Sequence, residues 1–211
     1  MEFMGYLISI KVALILFPIL AFLITLPYMI ANYRKYGSVN KLRTLIFYSF
    51  ILYLLTVYFL VILPLPNPES VHTTYAENLN LIPFSFVADF IKNNPLVLTY
   101  SSTWITAIKH PTFYVPAFNV LMLIPFGIYL RYYFKCSLKK TLLLTAISSL
   151  FFELTQLSGL YFIYSGPYRL ADVDDIIQNT IGGCIGYFLG WFVTWLLPSR
   201  EEIDEKSLEA G

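Results

Sequence analysis

Glu153 and Gln156 stand three residues apart in Ser148-Ser149-Leu150-Phe151-Phe152-Glu153-Leu154-Thr155-Gln156, inside an apolar run that follows a basic cluster. A carboxylate at membrane depth is costly, so such a residue marks a functional site by default. A second group follows at Arg169, Asp172, Asp174, Asp175 and Asn179, just before and inside the next apolar segment. Glu153 either ionises beside a cation such as Arg169 or Lys11, or stays protonated in surroundings of low dielectric. A protonated carboxyl beside ionised aspartates suits general acid and base roles. The same acids can instead pair with Arg169 and simply hold helix ends together. Asp172, Asp174 and Asp175 also offer the oxygen atoms that Mg²⁺ or Ca²⁺ prefers, but adjacent carboxylates without a loop motif do not define a metal site. The working assignment gives catalytic roles to Glu153 and Asp175 and ligand binding to Asn119, Gln156, Arg169, Asp172 and Asn179, with no metal and no cofactor.

These residues need elements to position them, and composition says what kind. The chain is 57% hydrophobic, 18% aromatic and only 13% charged, whereas about 25% charged is usual in a soluble domain. It reads as an all-α integral membrane protein. Five apolar stretches, at residues 7–30, 44–63, 113–130, 141–161 and 176–197, approach or exceed the roughly 20 helical residues that cross a hydrocarbon core. The first is longer than a secretory signal and has Pro18, Pro27 and Tyr28 where a small-residue cleavage site would stand, so it is expected to be retained as a membrane helix. The expected architecture is one five-helix membrane domain over 1–197, followed by an acidic cytoplasmic tail over 198–211. That tail carries Glu201, Glu202, Asp204, Glu205 and Glu209 and reads as a solvated segment.

Charge sets the orientation. The first connection holds Arg34, Lys35, Lys41 and Arg43, and the third holds Arg131, Lys135, Lys139 and Lys140, neither with an acid. An excess of Lys and Arg faces the cytoplasm, which puts the amino terminus outside and the carboxy terminus inside. The connections at 64–112 and 162–175 are then extracytoplasmic. With a helical rise of about 1.5 Å per residue, Glu153 falls roughly 12 Å below the outer end of a span closing at residue 161. Asn119 and Asn179 enter the same outer layer from their own spans. Asp172, Asp175 and Asn179 follow i, i+3, i+7 spacing and share a face if the last helix begins early.

The long outer loop is too apolar to be merely solvated. Phe84, Val87, Ala88 and Ile91 recur at helical spacing, as do Tyr100, Trp104 and Ile108, predicting two short amphipathic helices that lie on the outer leaflet or cap the bundle. Gly182, Gly186 and Gly190 fall four apart, leaving one face of the last span open to close approach by a neighbour. Cys136 and Cys184 have no disulfide or metal spacing, and His72 and His110 are isolated. No phosphate-cradling glycine loop and no Gly-x-Ser-x-Gly turn is present. The cations cluster where topology explains them, so no nucleic-acid surface is expected.

Asn80-Leu81-Ile82-Pro83-Phe84, the run Asn119 to Gly127, Glu153-Leu154-Thr155-Gln156, and Arg169 with Asp172, Asp175, Asn179 and the Gly183 to Gly186 stretch together resemble the VanZ family, in motif order, from about residue 40 to 197. The resemblance implies a Gram-positive cell-envelope protein associated with reduced susceptibility to teicoplanin and related lipid-tailed glycopeptides. It implies no defined reaction. The expected partners are membrane lipids, a lipid-linked wall precursor or the lipoglycopeptide itself. Three mechanisms stay open: binding or masking at the outer polar site, acid-base chemistry on a lipid or wall intermediate, and proton-coupled transport or flipping. Some members of the family continue into a further membrane domain after such a tail, so a longer chain is compatible with the resemblance.

Overall fold

The computed structural model describes residues 2–71 and 74–209; His72, noted above as isolated, lies outside them. The chain divides into two compact units, residues 1–65 with 192–211, and residues 66–191.

In the first unit α1 (Glu2–Tyr36) and α2 (Lys41–Ile62) are joined by a four-residue turn. Asn40 starts α2: its side-chain oxygen accepts from the amides of Leu42 at 2.9 Å and Arg43 at 3.1 Å, satisfying two orphan donors of the first turn. The hairpin is closed by Tyr28 stacked on Phe47 with centroids 4.6 Å apart, and by the Thr25 and Tyr48 hydroxyls at 2.6 Å. Residues Arg200–Glu209 of the acidic tail form α9, mostly exposed but with Ile203 buried. Arg43 is buried and cannot stay uncompensated, so it draws the tail in: its guanidinium pairs with Asp204, donates to Asn32 Oδ1 at 3.0 Å and lies 3.7 Å over the Tyr36 ring.

In the second unit β1 (Leu79–Asn80) pairs in parallel with β2 (Ala171–Asp172), Asn80 opposite Asp172. Between them run α3 (Ser85–Asn93), α4 (Trp104–Ile108), α5 (Pro111–Tyr132), α6 (Leu138–Leu157) and the single turn α7 (Gly159–Phe162); α8 (Val173–Leu196) follows. The two amphipathic segments are therefore helical, as α3 and α4. The glycine face of α8 meets α5 backbone to backbone. A Cβ on Gly182 would fall 2.1 Å from Val120 O, and one on Gly186 2.0 Å from Ile124 O, one α5 turn further on. On the neighbouring face Gly183 lies against the Thr145 side chain of α6.

Among the described residues four helices are long and apolar enough to cross a membrane: Leu7–Tyr36, Lys41–Ile62, Pro111–Tyr132 and Val173–Leu196. The expected fourth span, α6, is 20 residues long but is not among them. Lys139, Lys140, Glu153 and Gln156 lower its hydropathy. It also ends at Leu157 and not at 161, because Gly159 turns into the left-handed region at φ +64° with no room for a Cβ beside Gly166 O. Glu153 is accordingly only about 6 Å, four residues at the helical rise, from the end of its helix. The last span begins at Val173, three residues before expectation, which brings Asp174 and Asp175 into its first turn. Carboxylates are favourable there against the helix dipole.

Candidate functional site

The start of α8 organises the site. Asp172 is the last residue before the helix, and its Oδ1 accepts from the Asp174 amide at 2.8 Å as a capping residue does. Its other carboxylate oxygen accepts from Asn80 Nδ2 at 3.0 Å, and its own amide donates to Glu153 Oε2 at 2.9 Å. Asn80 also donates to Ser85 Oγ at 2.8 Å. One chain of hydrogen bonds thus joins α6, the head of α8, β1 and α3.

Asp174 is 1% exposed and serves α3. Phe84, in the left-handed region at φ 63°, has no side-chain cap to offer that helix. Asp174 supplies one from α8: Oδ1 accepts from the Phe84 amide at 2.5 Å, while Oδ2 accepts from Ser85 Oγ at 2.8 Å and from the Phe86 amide at 3.0 Å. A carboxylate receiving three donors at a helix start is among the stronger hydrogen-bond arrangements in proteins.

One turn into α8, Asp175 and Gln178 share Asn119 of α5, whose Nδ2 lies 2.6 Å from Asp175 Oδ1 and 2.9 Å from Gln178 Oε1. Asn179 reaches the other way, donating to Ser149 Oγ of α6 at 2.8 Å, with its Oδ1 buried and unpartnered. These polar groups fix the rotation of α8 between its two neighbours.

Above this framework opens a cleft of about 290 Å³. Asn80, Ser85, Asp89, Asp172, Asp174, Asp175 and Gln178 contribute its polar lining, and Phe86, Pro111, Thr112, Val115, Pro116 and Leu170 the rest. The expected constellation is therefore divided. Asp172 and Asp175 reach the cleft, while Glu153, Gln156, Asn119 and Asn179 do not line it. Glu153 and Asn179 are buried ties between α6 and the α8 region, Asn119 is a tie between α5 and α8, and Gln156 is buried in α6 one turn beyond Glu153. Arg169 is half-buried in the turn before β2, one residue ahead of the lining residue Leu170. There it acts on Tyr168, whose hydroxyl is pushed up to about 12, chiefly by burial, with Arg169 offsetting part of the rise.

Asn80, Ser85, Asp89 and Gln178 line the cleft without being among the expected site residues, and Asp174, expected as one acid of the second polar group and as a possible oxygen ligand, lines it as well. The sequence signal for Asn80 is a polar residue at the head of the Leu-Ile-Pro-Phe run. Among the described residues no group of three His, Cys, Asp or Glu side chains is arranged to hold a metal ion. The acids diverge toward different hydrogen-bond donors.

Residues 50–195 match the family model described as VanZ/LLP1. No curated protein and no solved structure matches the chain.

Proposed function

The chain belongs to the VanZ/LLP1 family, and from that premise we propose that it is a five-span envelope protein whose outward-facing cleft binds or masks a wall precursor, an envelope lipid or the drug itself, lowering susceptibility to teicoplanin-type lipoglycopeptides. In this reading α6 crosses the membrane despite its polar groups, because Glu153 and Ser149 spend them on neighbouring elements. The amino terminus faces outward, and α3 and α4 lie at the outer surface with Ile91, Trp104 and Ile108 exposed toward lipid.

The observation that carries the proposal is the lining of the cleft. Its carboxylates only accept hydrogen bonds when ionised, and Phe86, Val115 and Pro116 form an apolar wall beside them. A small set of convergent polar groups against apolar surface is the usual form of a ligand site. The complementary ligand atoms are hydroxyl, amide or ammonium donors, such as those of a sugar or peptide moiety. An anionic phosphate would face Asp89, Asp172, Asp174 and Asp175, so any headgroup contact by Arg169 belongs outside the cleft.

Acid-base chemistry is the second reading, and the observation favouring it is Asp175, a cleft-lining carboxylate held by Asn119. Glu153 tests whether the other acid assigned a catalytic role transfers a proton. Its role as an acceptor from the Asp172 amide can be taken over by a glutamine oxygen, whereas proton transfer cannot. In a sensitive Gram-positive host, with membrane levels matched by immunoblot, Glu153→Gln is expected to keep the selective protection against teicoplanin over vancomycin given by the wild type. Collapse of protection in that variant would favour chemistry or proton coupling, and dependence on the proton gradient would identify the latter.

A further inference from the structure

We propose that the first unit carries a second site, at the start of α2, that binds the phosphate group of an anionic phospholipid. A cleft of about 440 Å³ opens there, lined by Ser38, Asn40, Lys41, Leu42, Ile203 and Lys206 among others. It contains two cations and no acid. Among the described residues neither Lys41 nor Lys206 forms an ion pair, in contrast to Arg43 immediately below, which is committed to Asp204.

The arrangement is built from both ends of the unit. Lys41 is the first residue of α2 and is fixed by the Asn40 cap. Lys206 is brought to the same cleft by α9, which is anchored at Asp204 by the Arg43 pairing and by Ile203, 3% exposed. The four exposed glutamates of α9 lie outside the lining. Two lysines lining one cleft with no acid among the lining residues attract a phosphate, and lysine is a standard point-charge partner for one. Leu42 and Ile203 give the cleft an apolar flank for the glycerol backbone. A lipid is the source because of where the cleft lies. It caps the hairpin of α1 and α2, whose apolar segments have mean hydropathy 2.7 and 2.4, so its level is that of the headgroups. This site is independent of the acid-lined cleft.

The test uses the full chain in a neutral detergent, titrated with short-chain phosphatidylglycerol, phosphatidylcholine or inorganic phosphate, with affinity and melting temperature read together. Phosphatidylglycerol is expected to bind and raise the melting temperature, and phosphatidylcholine to do neither. The double variant Lys41→Gln/Lys206→Gln should bind phosphatidylglycerol roughly thirtyfold more weakly, since each lysine contributes ~1 kcal/mol near an anionic surface. Each single variant should lose roughly fivefold on the same basis, which keeps the test decisive if the double variant folds poorly. Removing the same charge at Lys92 and Lys109 should change nothing. Unaltered affinity in the lysine variants, or equal binding of phosphatidylcholine, overturns the site. Inorganic phosphate matching phosphatidylglycerol overturns the lipid as its source.

Discussion

Asp174→Ala is expected to loosen the segment around α3 while leaving the α1 and α2 hairpin intact. The variant removes the acceptor for the Phe84 and Phe86 amides and for Ser85 Oγ. Phe84 is exposed and Ser85 and Phe86 are half-buried, so each hydrogen bond contributes about 0.5–1.5 kcal/mol net and losing three amounts to roughly 1.5–4.5 kcal/mol against a total stability of about 5–15 kcal/mol. No other residue can substitute, because α3 has no cap of its own and Phe84 already occupies the left-handed region. Hydrogen exchange in detergent should show the Phe84 and Phe86 amides protected in the wild type and fast in the variant, with a lower melting temperature. Asp174→Asn, which keeps one acceptor oxygen, should fall between the two. Unchanged protection in Asp174→Ala would mean that α3 is held by its apolar contacts alone.

Gly186→Val is expected to yield little or no folded protein. Even a Cβ would fall 2.0 Å from Ile124 O and 3.0 Å from Gly127 Cα, and both obstacles are backbone. Ordinary overpacking costs about 1–3 kcal/mol because side chains can adjust. Here α5 and α8 must move apart, which also breaks the Asn119 contacts to Asp175 and Gln178. Gly190→Ala provides the graded comparison, since its nearest obstacle is the Arg131 side chain at 2.8 Å. Size-exclusion profiles and melting temperatures in detergent should rank wild type above Gly190→Ala and both above Gly186→Val. Equal behaviour of the two variants would show that the close approach of α5 to α8 is not required.

That packing face was legible in the sequence because three glycines at i, i+4, i+8 have only a few uses in an apolar helix. The amphipathic helices were legible for the same reason of period. The site was only half legible. Carboxylates and amides in apolar runs announced that something was there, but spacing along one chain cannot say which neighbour each polar group meets. Asp174 looked like one of three equivalent acids; it became a cap for α3 through the pairing of β1 with β2, which joins residues 92 positions apart in two-residue strands with no pattern of their own. The tail illustrates the converse. Its composition has no apolar face and so reads as solvated, yet a single isoleucine and a single aspartate suffice to dock it, because Arg43 is a buried charge that needs a partner. The end of α6 at Leu157 was not legible, because nothing in Ser158-Gly159-Leu160-Tyr161 requires the helix to stop until Gly159 is seen against Gly166.

The central claim is that the acid-lined cleft is where the ligand sits, and the most direct measurement fills it without touching its polar groups. Val115 lines the cleft from α5 and is 45% exposed, so Val115→Trp can occupy the space while leaving the Asn119, Asp172 and Asp174 contacts in place. Teicoplanin and vancomycin susceptibility would be compared in a sensitive Gram-positive host producing wild type or Val115→Trp at matched membrane levels, with the melting temperature of each purified protein as the folding control. The expected result is a variant that folds like the wild type and has lost its selective teicoplanin protection. Full protection by a folded Val115→Trp protein, or none by the wild type, would contradict it.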